Sequence, residues 1–268
     1  MMRQFWDAVA EGDIEEIQAL LRNNPSLDVN QGDDKQWTAL HFAVTTRSAE
    51  TAKLLLAQTT IDVNVQDVNG FTPLFIGCEG QSVPLIRLLL KDPRVDVTLA
   101  DEDGMTPLWW AANRGYCDMV EWFIASGRDL GDFAITKGLY GNFGYTTLEI
   151  AREKERPDIV SLLERFMASP EQTRHEVRVK LGVLDELAAE IFALTVFLCD
   201  DLLQLKPALA PAPDTDATRF FAIITKLPME LQMILCHRAV GSMKQNILRK
   251  DLEAAFKHLV RVLLSQPK

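Results

Sequence analysis

The chain has 268 residues, 47% of them apolar and 25% charged, the balance of a folded soluble protein rather than of a disordered chain. A formal charge of −10 and a pI near 5.0 exclude sequence-independent attraction to nucleic acid, because a polyanion binder needs Lys and Arg in excess to release counterions. The longest apolar run, the nine residues Ile191 to Cys199, stops at Asp200 and falls well short of the roughly twenty a membrane span requires, so no membrane partner is expected and the run reads as a buried helix. The cysteines Cys78, Cys117, Cys199 and Cys236 show no C-x-x-C spacing, and the polar start Met1 to Ile14 has no secretory pattern. Reduced thiols in a cytoplasmic or nuclear protein are expected.

Along the chain, one short signature recurs: Thr38-Ala-Leu-His-Phe-Ala43, Thr72-Pro-Leu-Phe-Ile-Gly77, Thr106-Pro-Leu-Trp-Trp-Ala111 and Thr146-Thr-Leu-Glu-Ile-Ala151. The first two steps are 34 residues and the last is 40. Each copy predicts a short helix, because Thr can cap its start and Pro fits the first turn, where no N–H is needed. A second apolar segment follows at constant distance: Ala52 to Leu56, Ile86 to Leu90, Val120 to Ile124 and Val160 to Glu164. An earlier half-match, Asp7 to Asp13 with Ile17, Leu20 and Leu21, keeps the helix pair without the Thr-Pro-Leu opening and reads as an N-terminal cap. Before the signatures stand the turns Asp67-Val-Asn-Gly70 and Asp101-Glu-Asp-Gly104, each pairing an Asx acceptor with a Gly that tolerates positive φ. Gln36 replaces that Gly in the turn before Thr38. Between the helices of each pair, Gly12 and Gly115 alternate with Arg47, Gln81 and Glu155. The longer fourth connection, Gly127 to Gly144, holds five glycines around Phe133, Tyr140 and Phe143 and reads as an extended loop.

These signatures resemble the ankyrin repeat family, with its period of about 33 residues and its T-P-L-H-x-A opening before two antiparallel helices. The resemblance implies an all-α solenoid of helix pairs with β-turn fingers over residues 1–168. It also implies protein binding on a concave face made by the fingers and the first helix of each pair. The family's variable positions fall on Asp34, Lys35, Trp37, Val68, Asn69, Phe71, Glu102, Asp103 and Met105 in the fingers, and on Thr45, Thr46, Glu79, Asn113 and Arg114 on the first helices. Trp37 and Phe71, at equivalent places before Thr, are the expected apolar anchors. Of the adjacent Trp109 and Trp110, the latter matches a core position, leaving Trp109 as the contact candidate. The finger acids Asp33, Asp34, Asp101, Glu102 and Asp103 point to a partner with a basic segment.

After Ser169-Pro170 the period vanishes. Glu171 to Leu205 reads as one long helix, within a segment 169–206 that packs on or caps the last repeat, because Val177, Leu181, Leu184, Leu187, Ile191, Leu194, Leu198 and Leu202 recur at helical spacing. Residues 207–217 form a Pro-rich linker and 218–268 a C-terminal helical segment. Within the latter, Leu227-Pro228-Met229-Glu230-Leu231 with Ile234 and Leu235 resembles the opening of an F-box, or of the C-terminal (PRANC) box of poxviral ankyrin proteins. Two readings stay open there. One is an ordinary amphipathic helix started by Pro. The other is a substrate adaptor that recruits a Skp1-type ubiquitin ligase subunit.

No phosphate-binding glycine loop, G-x-S-x-G, H-E-x-x-H or calcium loop is present. His41, His175, His237 and His258 stand apart from one another, and Asp200-Asp201 with Glu186 and Glu190 reads as a solvated helix face. No cofactor, metal or catalytic set is expected, and the chain is read as a non-enzymatic binding module.

Overall fold

A computed structural model describes residues 1–199, 220, 224, 227, 229–242, 247, 251 and 255. The chain divides into two compact units, Met1–Arg174 and His175–Lys268.

The first unit is a stack of five helix pairs: α1 (Met2–Glu11) with α2 (Ile14–Asn23), α3 (Ala39–Thr45) with α4 (Ala49–Leu56), α5 (Pro73–Glu79) with α6 (Val83–Lys91), α7 (Pro107–Arg114) with α8 (Cys117–Ser126), and α9 (Thr147–Glu153) with α10 (Pro157–Ala168). The repeated Thr starts these helices locally. Thr72, Thr106 and Thr146 accept hydrogen bonds from the N–H groups of Phe75, Trp109 and Glu149, and Pro73 and Pro107 occupy the first helical position. First helices pack on first helices down the stack. Between the rows lies a core to which each pair contributes buried side chains: Phe5 and Ile17, Leu40 and Leu55, Leu74 and Leu89, Leu108 and Phe123, Ile150 and Leu163. Burying such side chains stabilises the unit by about 1.5–3 kcal/mol each.

Every pair closes its first helix in the same way. The N–H groups of Gly12, Arg47, Gln81, Gly115 and Glu155 reach back to Val9, Val44, Cys78, Ala112 and Arg152, and the next residue in each case bonds the carbonyl one place earlier. This Schellman closure needs a left-handed residue. Gly12 and Gly115 meet it with φ of 73° and 81°, whereas Arg47, Gln81 and Glu155 are held at 58°, 54° and 53°. The departures from glycine seen in the sequence therefore leave the backbone path intact and strain three residues instead.

A second repeated turn carries the stack. Asp28, Asp62 and Asp96, 34 residues apart, each accept from the N–H two places on, at Asn30, Asn64 and Thr98. Asn30 and Asn64 then bridge forward, donating to the Thr60 and Arg94 carbonyls and accepting from the Asp62 and Asp96 N–H groups. The amide side chains thus join each of these turns to the main chain of the next.

The connection 127–144, expected as an extended loop, contains a β-hairpin of β1 (Lys137–Tyr140) and β2 (Phe143–Thr146), with Tyr140 paired to Phe143 and Lys137 to Thr146. Gly141, at φ 63°, turns the chain between them. The strands form because finger backbone lies beside them: the Leu139 N–H donates to the Asp103 carbonyl at 2.9 Å. Lower in the connection, Phe133 stacks on Phe166, ring centroids 6.1 Å apart.

The single helix expected over 171–205 is two helices, α11 (Pro170–Lys180) and α12 (Val183–Cys199). The break lies at Gly182, whose φ of 73° ends α11. Residues 200–205 and the expected linker 207–217 lie outside the described residues. In the second unit, Ala188, Ala189, Phe192 and Ala193 of α12 pack with Cys236 of α13 (Met229–Ala239) and with Ile224, Ile247 and Ala255. The small alanines let the two helices approach closely. Among the described residues, no helix is long and apolar enough to cross a membrane.

Candidate partner-binding face

Three fingers share one geometry. In each, an aspartate Oδ1 accepts two backbone N–H groups: Asp33 from Lys35 and Trp37, Asp67 from Asn69 and Phe71, Asp101 from Asp103 and Met105. A positive φ follows at Gln36 (62°), Gly70 (80°) and Gly104 (76°). At Gly70 and Gly104 a Cβ would also meet the next finger's backbone at 2.9 Å, at the Asp101 Cα and the Lys137 carbonyl oxygen. Adjacent fingers are linked by single main-chain bonds, Val68 N–H to Lys35 C=O, Glu102 N–H to Asn69 C=O and Leu139 N–H to Asp103 C=O. The hairpin is thus a lengthened fourth finger. Asp34, Lys35, Val68, Asn69, Glu102 and Asp103 stand exposed at the finger tips.

Asp67 and Asp101 occupy equivalent turns but differ electrostatically. Burial raises both carboxyls. At Asp67 the Phe71 and Asn69 N–H groups and the Trp37 indole outweigh it and hold the group below its ordinary value. At Asp101 the Met105 and Asp103 N–H groups are countered by the negative charges of Asp103 and Glu102, and the group stays raised. The third finger is therefore a concentrated source of negative potential.

Trp37 and Phe71, the expected apolar anchors, are half-buried, and so is Met105. The Trp37 indole donates to Asp67 Oδ2 at 3.0 Å and packs edge-on against Phe42 at 5.5 Å, while Phe71 stacks on Phe75 at 4.6 Å. The two rings thus join their fingers to first helices. On those helices Thr45, Thr46, Glu79 and Arg114 are exposed, the two threonine hydroxyls donating back to the His41 and Phe42 carbonyls.

Trp109 and Asn113 are corrections. Trp109 is 1% exposed and Asn113 9%, so neither offers a contact surface. Trp109 fills the slot that His41 fills two pairs earlier, and it makes the same link to the next finger: the indole Nε1–H donates to the Tyr145 carbonyl at 2.7 Å, as His41 Nε2 meets the Phe71 carbonyl at 3.0 Å. The hairpin covers Trp109, with Gly138 against its ring. Its neighbour Trp110 is the half-exposed one, lying under the Arg114 guanidinium at 4.4 Å. At His41 the Nδ1 accepts the Thr38 N–H at 3.1 Å, which requires neutral imidazole, and burial accordingly lowers the pKa.

Residues missed in the sequence are those of the hairpin end. Ile135, Leu139, Tyr140 and Phe143 are 71, 47, 45 and 68% exposed, the largest apolar exposure on the finger side. The aromatics among glycines were the available signal, but four-residue strands carry too little alternation to be read. In the C-terminal unit, Met229 and Leu231 are exposed and Ile234 and Leu235 half-buried. Leu227 is half-buried, and Pro228 and the Glu230 side chain lie outside the described residues.

Among the described residues no group of three His, Cys, Asp or Glu side chains is placed to hold a metal ion. A comparison with curated proteins gives no match. The family model described as ankyrin repeats (3 copies) matches residues 5–101, 61–134 and 85–173, which together cover more than half of the 268 residues. With five helix pairs, aspartate-closed fingers and a Thr-Pro-Leu start to two of the first helices, the chain belongs to the ankyrin repeat family, whose repeats are protein–protein interaction modules.

Proposed function

We propose that the chain is a non-enzymatic adaptor or scaffold whose finger and first-helix face holds a basic segment of a partner protein. The observation that carries this reading is the set of exposed carboxylates on that face: Asp34, Glu102 and Asp103 at the finger tips and Glu79 on α5. Asp33, Asp67 and Asp101 already spend an oxygen on their own turns, so the tip residues are the ones left to meet a ligand. Such a field steers a cationic segment toward the fingers and weakens with salt.

Peptide display on the full chain tests it. Peptides enriched in Lys or Arg are expected, with binding that falls as salt rises and is lost in the variant Asp34→Lys, Glu102→Lys, Asp103→Lys. Selected peptides without basic residues, or equal binding by that variant, would sink the reading. Truncating Trp37, Phe71 and Met105 is a poor test, because two of these rings hold the fingers in place.

A second reading, a ubiquitin-ligase substrate adaptor acting through the helix that begins at Met229, is favoured by one observation. Met229 and Leu231 are 61% and 47% exposed, as a docking helix requires. Co-purification of purified Skp1 with the full chain, abolished by Met229→Glu with Leu231→Glu, supports it; no co-purification removes it.

A further inference from the structure

The finger-side face changes sign along the stack. In the last position of the first helix or its cap, the five pairs carry Glu11, Thr46, Gly80, Arg114 and Lys154. The first three show that the repeat needs no cation there, so complementing the helix dipole does not by itself account for the last two. No carboxylate among the described residues forms an ion pair with Arg114 or Lys154. Aromatic faces hold them instead. The Arg114 guanidinium lies 4.4 Å from the Trp110 ring centroid, and the Lys154 ammonium lies 3.7 Å from that of Tyr140. Tyr140 comes from β1, so the hairpin reaches over the end of α9 to place it. The Lys154 ammonium beside it and, more weakly, the Arg114 charge hold the phenol below its ordinary pKa.

Tyr140 and Lys154 thus meet at the end of α9, Arg114 holds the equivalent place on α7, which packs against α9, and an exposed apolar ring, Phe143, stands directly across the hairpin from Tyr140. Cations laid on rings lose little further side-chain freedom on binding, and a guanidinium so held keeps N–H groups for two oxygens of one anion. On the other side of Phe143, Glu149, Glu153, Lys137 and Arg152 line an open cleft with Gly144 and Tyr145.

We propose that Tyr140, Arg114 and Lys154 form an anion site for a carboxylate or phosphoryl group on the same partner segment. That segment is then of mixed sign, basic over the first and third fingers and acidic at the hairpin. The inference rests on the finger-face reading above and narrows it. The test uses peptides selected by display on the full chain, resynthesised with Glu, phosphoserine or Gln at the position enriched in acid. The expected result is an acidic residue at fixed distance from the basic cluster. Binding of the Glu peptide should weaken at least about tenfold in Arg114→Glu with Lys154→Glu, and several-fold in the milder Arg114→Gln with Lys154→Gln. The Gln peptide should bind all three proteins alike. Phosphoserine tighter than Glu assigns a phosphoryl ligand, and weaker assigns a carboxylate. If basic residues are selected without an acidic position, or Glu and Gln peptides bind the native chain equally, the anion site falls and the finger reading stands. If the peptides carry no basic residues, both fall.

Discussion

Replacing Arg47 and Glu155 by glycine should stabilise the repeat unit, against the usual effect of putting glycine next to a helix. Both residues close Schellman motifs at φ 58° and 53°, a region that costs a non-glycine residue about 1–2 kcal/mol. Glycine gives back about 0.4–1 kcal/mol through the greater freedom of the unfolded chain. Both side chains are exposed, so the balance is a gain of about 0.5–1 kcal/mol per site. The double variant should therefore gain about 1–2 kcal/mol, with Tm rising by about 2–4 °C for each kcal/mol in a unit of this size. Tryptophan fluorescence during urea or thermal unfolding reads this unit alone, because Trp6, Trp37, Trp109, Trp110 and Trp122 all lie within Met1–Arg174. Arg47→Ala, which keeps the strain, should gain nothing. Gln81→Gly should gain less, since the Gln81 amide donates to the Tyr116 hydroxyl. The converse change Gly12→Ala, where a Cβ meets nothing closer than 3.7 Å, should destabilise through φ alone. A double glycine variant no more stable than the native chain would refute the strain argument.

Three further outcomes are expected. His41 has a folded pKa below its ordinary 6.5, so the unfolded chain takes up the proton first; stability is complete above about pH 6.5 and declines as pH falls below it. His41→Gln should flatten the urea midpoint between about pH 6.5 and 5.5. Trp109→Phe keeps most of the packing but leaves the Tyr145 carbonyl without its indole donor, which should cost about 1–3 kcal/mol and speed amide exchange at Leu139 on the hairpin. Gly138→Ala should cost about 1–3 kcal/mol, because its Cβ would stand 2.9 Å from the Met105 Cγ and 3.1 Å from the Trp109 ring; Gly144→Ala, with neighbours at 3.5 Å, should be tolerated in the same unfolding assay.

What the sequence made legible was what neighbouring residues decide among themselves. Thr followed by Pro starts a helix wherever it stands, and Asp with a positive φ three residues on closes a finger, so pairs and fingers could be read copy by copy. What stayed hidden depends on residues far along the chain. Whether Trp109 or Trp110 is buried is decided by the hairpin at 137–146, which covers one and leaves the other under Arg114. The hairpin itself is held by the third finger's backbone rather than by its own side-chain alternation. Leu181 and Leu184 keep the apolar spacing across the break at Gly182, so periodicity ran through a place where the chain turns. The left-handed Arg47, Gln81 and Glu155 could be found only by position in the repeat, since their residue types argue against that conformation.

The finger turns also bear on how such a surface can change over evolutionary time. Between the closing aspartate and the left-handed residue, each finger has two positions, 34 and 35, 68 and 69, 102 and 103. The bonds that shape the turn there run from the carboxylate to main-chain N–H groups, and the bonds between fingers run main chain to main chain. Nearly any residue other than proline can occupy these six sites without altering the frame beneath. Recognition can then drift from one partner to another by single substitutions, each neutral for folding, while the carboxylates at 33, 67 and 101 stay put.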